Sequence, residues 1–459
     1  ELCRKRLIRL IGLIRLIGLI GLINPIRNKK TMKNKSLSNI FKGDKVIWMI
    51  FFFLCVISII EVYSASSSLS YTGGNYWSPI IYHCSILIVG IALMVVVLNI
   101  KCRYFKLITP IILVMSFLML IWVLVAGQST NGASRWISFA GIQFQPSELG
   151  KGALVLAIAQ ILSAMQTEHG ADRKAFKYIM LLSSAMIFLI LFENLSTAML
   201  IGLTVFLMML VGRVPIKQLG RLIGVIALIG VVVLSMVMLV GDDKKVDDEI
   251  SAKQHLTEQT NAVRQEESPG FIGKTLHRAD TWKARIKKFF NNEYVAPKDY
   301  DLDKDAQVAH ANIAIASSDV FGKGPGNSNE RDFLSQAFSD FIYAIIIEEG
   351  GIEGAIFVAL LYIILLFRTG IIANRCENSF PAFLAMGIAF LLVTQALFNM
   401  LVAVGLAPVT GQPLPLISKG GTSTIINCVY IGVILSVSRS AKKKKEDKMP
   451  SQKLSHVTA

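Results

Sequence analysis

The chain has 459 residues, 53% of them hydrophobic and only 17% charged, with a mean hydropathy of +0.56. A soluble domain is nearer a quarter charged, so the balance excludes an ordinary cytosolic enzyme. Its net charge of +16 lies at the N-terminus and in short connections between apolar blocks, which argues against a nucleic-acid partner.

Residues 1–31 repeat an LIGLI/LIRLI unit and carry eight Lys/Arg against one acid, Glu1. Arg9 and Arg15 interrupt the apolar run, so it is too short to cross a bilayer. It reads as upstream sequence joined ahead of a start at Met32, or as an interfacial amphipathic segment. Residues 32–45 form a short cytoplasmic N-terminus.

Ten apolar stretches follow, at 46–64, 79–99, 107–126, 150–165, 178–192, 195–212, 219–240, 341–367, 382–407 and 422–438. Runs of this kind predict transmembrane helices. The expected fold class is therefore an all-α polytopic membrane protein with ten spans: helices 1–7 within 46–240 and helices 8–10 within 340–438. Glu193-Asn194 breaks the fifth stretch from the sixth, as a hairpin or a kink.

Alternate connections differ sharply in charge. The segments 33–45, 101–106, 166–177, 213–221, 368–375 and 439–448 hold 21 Lys/Arg, whereas the opposite set holds Arg135, Lys151 and Lys419. The positive-inside rule then places both termini, including the basic tail 439–459, in the cytoplasm. Between the seventh and eighth spans, 241–339 forms a large extracytoplasmic loop with 17 acidic and 14 basic residues. Its stretch 277–290, HRADTWKARIKKFF, is patterned as an amphipathic helix, lying on lipid or packed on its own domain.

Ionisable groups at the edge of an apolar layer are costly unless partnered or used. On the outer side these are Arg135, Glu148, Lys151, Glu193, Asp340, Glu348, Glu349 and Lys419, gathered into three motif-rich segments. In 129–151, Pro146-Ser147-Glu148 is a helix start with its acid favoured by the dipole, and Arg135 beside Trp136 offers a two-pronged phosphate grip. In 321–351, Ser339 or Asp340 either caps a long helix or presents a carboxylate able to take a proton from a hydroxyl. Glu348 and Glu349 sit two turns deeper and require partners or neutrality.

In 405–424, three prolines and four glycines forbid a continuous helix. Lys419-Gly420-Gly421-Thr422 becomes a basic, donor-rich turn opening onto a cavity, or an ordinary hairpin. Asp340 is the candidate catalytic group. Arg135, Trp136, Ser339, Glu348, Lys419, Gly420 and Thr422 are the candidate substrate-binding residues. Together they suit an amphipathic substrate with an anionic head and a lipid tail. The six cysteines and six histidines show no metal-ligand spacing, so no cofactor is required by the sequence, although a divalent cation is compatible with it.

These segments read NGASRWI, FQPSELGK, FGKGPGNS, FSDFIYAIIIEEGG and PVTGQPLPLISKGGTST in chain order. In them the chain resembles the SEDS (shape, elongation, division and sporulation) family, closest to its division branch. The resemblance implies a peptidoglycan glycosyltransferase of the bacterial cytoplasmic (inner) membrane, polymerising lipid II at the division septum by an inverting mechanism, with Asp340 matching the family's essential aspartate. It also implies partners: lipid II and the growing glycan strand, a class B penicillin-binding protein acting as transpeptidase, division-complex regulators and membrane lipids. At 192–200, FENLSTAML departs from the family's PDLGT-like stretch, and no role carries over there. The rival readings are a lipid II flippase and a non-catalytic division scaffold.

Overall fold

The computed structural model describes residues 42–65, 78–126, 128–130, 133–139, 142–168, 170–240, 302–334 and 337–447. The N-terminal repeat, the segment 241–301 with its amphipathic stretch 277–290, and the end of the tail lie outside the described residues.

The chain is mostly helical. In order come α1 (Lys45–Ala65), α2 (Ser78–Asn99), α3 (Cys102–Ala126), a small meander of β1 (Gln128–Thr130), β2 (Ala133–Phe139) and β3 (Ile142–Phe144), and α4 (Pro146–Ala164). A two-residue strand pair, β4 (Gln166–Thr167) and β5 (Gly170–Ala171), leads into α5 (Arg173–Glu193), α6 (Leu195–Val211) and α7 (Ile216–Val240). Then follow α8 (Leu302–Ala316), α9 (Ile342–Asn374), α10 (Ser379–Ala403) and α11 (Thr422–Asp447). Each of the ten predicted apolar stretches falls on a helix. Among the described residues, eight helices are long and apolar enough to cross a membrane; α6 is apolar but shorter, at 17 residues. The fold is that of a polytopic helical membrane protein.

The helices sort into an inner and an outer set. α4, α10 and α11 bury 67%, 61% and 67% of their apolar stretches, against 22% for α2 and α3. Side chains such as Ile88, Leu107 and Val125 on α2 and α3 are exposed, as lipid-facing residues must be. Without a hydrophobic drive between helices in lipid, close approach has to come from small residues. α2 meets α11 in this way: a Cβ on Gly90 would lie 2.9 Å from the Cys428 Sγ, and one on Gly432 would lie 2.8 Å from the Met94 carbonyl.

Local chemistry sets the element ends. α4 starts with Pro146 in its first turn and Glu148 beside it, as expected. Asn194 serves two helices at once: its backbone NH donates to the Ile190 carbonyl to end α5, and its side chain accepts from Ser196 N to start α6. Three features differ from the sequence reading. The segment after α3 is a β-meander antiparallel throughout, because its alternating ASRWISF pattern and NG turn suit paired strands. The eighth stretch runs on to Asn374, so Arg368 lies in a helix rather than a loop. Leu302–Ala316, read as part of an undivided loop, is a helix.

Arg368 reaches across to Asp44 at the start of α1. It makes a two-pronged pair, Nε to Oδ1 at 3.0 Å and Nη2 to Oδ2 at 2.7 Å. Asp44 also accepts from the first-turn amide of Val46 at 2.9 Å and so caps α1. Burial raises the Asp44 carboxyl, but hydrogen bonding and charge from Arg368, with the Val46 and Ile47 amides, outweigh it and hold the group below its ordinary 3.8. A depressed carboxylate contributes stability above its unfolded-state value and loses it as pH falls through the folded one. Asp44→Asn should therefore lower stability by about 1–2 kcal/mol at pH 7. In thermal unfolding of the detergent-solubilised protein, that gap should close below pH 3.8. A gap of constant size would show that the pair carries no charge-dependent stability.

Candidate functional site

Between α10 and α11 the chain leaves the helix at Ala403 and re-enters it at Thr422. Pro408, Pro413 and Pro415 explain the break, since each lacks an amide hydrogen and clashes with a preceding turn. Although irregular, the second half of the loop is deeply buried: Leu414, Leu416, Ile417 and Ser418 are nearly inaccessible. Leu416 takes a positive φ of 68°, an uncommon conformation for a branched side chain that persists only where the surroundings hold it.

Irregular backbone inside an apolar bundle must find internal hydrogen-bond partners. Side chains from three helices supply them. Asn399 on α10 donates to the Gln412 carbonyl at 2.8 Å, and Gln395 one turn earlier donates to Pro413 at 3.1 Å. Tyr362 on α9 donates to the Pro415 carbonyl, and Ser58 on α1 to Ile417 at 2.7 Å. His83 on α2 lies 2.8 Å from that serine hydroxyl. Ser418 accepts from the Leu414 amide at 2.8 Å and donates to the Ser339 carbonyl at 2.6 Å.

Asp340 is brought here by the same bonds. Asn399 Nδ2 donates to its carbonyl at 2.8 Å, and the Lys419 amide donates to the Phe338 carbonyl at 2.9 Å. The segment 338–340 thus lies against the loop 412–419, eighty residues away in sequence. Asp340 is half-buried, and Ser339 Oγ donates to its Oδ1 at 3.1 Å. Lys419 Nζ stands 5.0 Å over the Phe338 ring, a cation–π distance. Desolvation lowers the Lys419 ammonium below its ordinary 10.5. Gly420 is half-buried beside it, and Thr422 is the first residue of α11. A half-buried carboxylate, an ammonium and a turn of small residues are therefore carried on backbone segments that lie against one another.

Two expectations need correction. Neither Ser339 nor Asp340 is the N-cap of the long helix: that position is Phe341, one residue on, so Asp340 stands just ahead of α9. Glu348 is fully buried, with Lys323 Nζ at 2.6 Å and the Asn329 amide at 3.0 Å on Oε1 and Ser328 Oγ at 2.5 Å on Oε2. It anchors the preceding loop rather than facing a ligand. Arg135 and Trp136 fall on β2, with Trp136 opposite Gln128, and the description of both stops at the backbone. Among the described residues no group of three or more His, Cys, Asp or Glu side chains converges as a metal site.

The cell cycle protein family model named for FtsW, RodA and SpoVE matches residues 44–262 and 271–443. The chain belongs to this SEDS family. The probable peptidoglycan glycosyltransferase FtsW of Geobacter metallireducens is 28% identical over 416 residues, covering 89% of this chain and 97% of the relative. The stage V sporulation protein E of Bacillus subtilis is 27% identical, covering 86% and 97%. Among solved structures, a chain of a peptidoglycan synthase complex that coordinates polymerization and crosslinking aligns with a TM-score of 0.63 at 22% identity, over 87% of this chain and 99% of that one. RodA of Thermus thermophilus aligns at 0.57 and 22%, over 87% and 98%. At such identities the two structures establish a shared fold.

Several residues of this SEDS site escaped the sequence reading: Ser58, His83, Tyr362, Gln395 and Asn399 as support, with Lys323 and Arg331 in the loop before α9. A polar side chain inside an apolar run was the available signal for the first five, and only the outer-edge charges were weighed by it. Lys151 shows the same logic deeper in. It is almost wholly buried, 2.8 Å from Glu148 Oε1 on its own helix and 2.8 Å from Gln395 Oε1. Gln395 in turn holds Pro413, so this buried pair stands directly behind the loop. Lys151→Met should cost about 3–5 kcal/mol, because it strands a buried carboxylate. Adding Glu148→Gln should recover most of the loss in thermal unfolding; additive losses would mean that the two charges act independently.

Proposed function

We propose that this chain is a peptidoglycan glycosyltransferase that polymerises lipid II on the outer leaflet, with Asp340 as the general base. One observation carries the reading: Asp340, a half-buried carboxylate just ahead of α9, is held by Asn399 on its own carbonyl and Ser418 on that of Ser339, against the turn that bears Lys419. The names of the relatives and the charge asymmetry of the connections support it. With ten spans and both termini cytoplasmic, the 338–340 and 405–421 segments face the extracytoplasmic side, where a lipid-linked disaccharide is presented.

In this mechanism Asp340 takes the proton of the acceptor GlcNAc 4-hydroxyl. That oxygen attacks C1 of the donor MurNAc as the bond to the lipid pyrophosphate breaks, so the anomeric centre inverts. The expelled pyrophosphate leaves with its electron pair, and its charge must be met; Lys419 and Arg135 are the cations assigned to it. The glycine turn 420–421 and Thr422, next to Lys419, are the part of the loop assigned to the diphosphate. A divalent cation would strengthen the same neutralisation. Holding two lipid-anchored substrates in one groove supplies the orientation that a bimolecular reaction otherwise loses.

The similar chain in the peptidoglycan synthase complex supports a class B penicillin-binding protein as partner, crosslinking the strands as they emerge. In a division-branch member the complex would work at the septum, with regulators of the division machinery.

Purified protein given labelled lipid II in detergent should form glycan chains, a result that needs chemistry and no compartments. Asp340→Asn should lower the polymerisation rate by about 10²–10⁴-fold, the usual contribution of a general base, while lipid II binding and the unfolding midpoint stay unchanged. Undiminished polymer from this variant would overturn the base assignment. Vectorial movement of lipid II in vesicles without chain growth would favour a flippase instead.

A further inference from the structure

The helix that carries Asp340 is broken. α9 is interrupted at Gly351, whose φ of 65° and ψ of −168° are non-helical, so nine residues, 342–350, form a separate half-helix with Asp340 just ahead of its start. A break of this kind frees carbonyls, and the glycine loop FGKGPG fills it. The Lys323 amide donates to the Glu348 carbonyl at 3.0 Å, and the Gly324 amide to Glu349 at 2.9 Å. Gly322 (φ 73°) and Gly351 approach so closely that a Cβ on either would run into the other's backbone. Side chains bind the plug from above. Glu348 holds Lys323 Nζ, Ser328 Oγ and the Asn329 amide; Lys323 Nζ also reaches Ser317 Oγ at 2.9 Å, at the end of α8. Glu349 takes the Gly326 amide at 3.0 Å and the hydroxyl of Ser64 on α1, while Arg331 donates to Gly326 O at 2.7 Å and Ser64 Oγ at 3.2 Å.

We infer that Lys323 is a positioning residue: by locking the glycine loop into the break at Gly351 through Glu348, it fixes the tilt of the half-helix and so the placement of Asp340. The inference rests on the reading of Asp340 as the reacting base. The lever makes the effect large. Ten residues at 1.5 Å each give about 15 Å from the break to Asp340, so a tilt of about 4° moves the carboxylate about 1 Å. A misplacement of that size can cost about 10²-fold in rate. The clamp grips the far end of the half-helix from Asp340, so its loss should alter turnover rather than substrate affinity.

The test compares full-length wild type, Lys323→Ala, Lys323→Arg and Asp340→Asn, by lipid II polymerisation kinetics and by hydrogen–deuterium exchange of the 342–350 amides in lipid nanodiscs. Lys323→Ala should lower kcat by about 10²-fold with KM unchanged, and should speed exchange in 342–350 at least tenfold. Lys323→Arg, which keeps the charge, should restore most of both. Normal kcat or unaltered exchange in Lys323→Ala would overturn the clamp, as would a rise in KM that accounts for the whole loss. Asp340→Asn serves as the separate control: lost polymerisation with wild-type exchange keeps the base reading, whereas retained polymerisation removes that reading and leaves the exchange data to judge the clamp alone.

Discussion

A carbonyl or amide that leaves a helix inside an apolar layer has no water to turn to, and every unusual feature of this protein follows from meeting that demand. The chain breaks helical order twice near its candidate site, at Gly351 within α9 and across 404–421 between α10 and α11. Both breaks are repaired by partners far off in sequence. Side chains of α1, α9 and α10 serve the second; a glycine loop inserted backbone-first serves the first. An unpaired buried backbone group costs about 1–3 kcal/mol, so these contacts are a condition of having the loops at all.

The same repairs do the positioning. Asn399 uses its two amide hydrogens on carbonyls from different segments, Asp340 and Gln412, and thereby fixes one against the other. Ser418 accepts within its own turn and donates to the backbone beside Asp340. A group that satisfies a broken backbone is held by several bonds at once. A carboxylate and an ammonium mounted on such backbone are consequently preorganised, as charge-stabilising catalysis requires.

Charge inside the bundle obeys a parallel rule. Lys151 with Glu148, Lys323 with Glu348 and Arg368 with Asp44 each join opposite signs at 2.6–2.8 Å. Glu348 also holds a loop and Asp44 a helix start, and Lys151 reaches the loop through Gln395, so neutralisation and mechanical anchoring coincide. Asp340 and Lys419 are half-buried, and both are among the groups to which chemistry is assigned.

Composition and spacing by themselves determined the helical membrane class and all ten apolar segments, because apolar length is a local property that no distant contact overrides. The helix starts at Pro146 and Asn194 were legible for the same reason: capping depends on residues one to three positions away. The motifs also singled out Asp340 and the SKGGT turn, since broken, charged sequence in an apolar context is unusual wherever it occurs. Only the tertiary structure decided what those residues touch. It gave Glu348 to the glycine loop, handed the cap position to Phe341, and drew Asn399, Gln395, Ser58 and Tyr362 around the loop. Hydrogen-bond partners separated by tens to hundreds of residues leave no periodic trace, and the side chains that answer a broken backbone are chosen by the packing of helices, which the one-dimensional pattern does not contain.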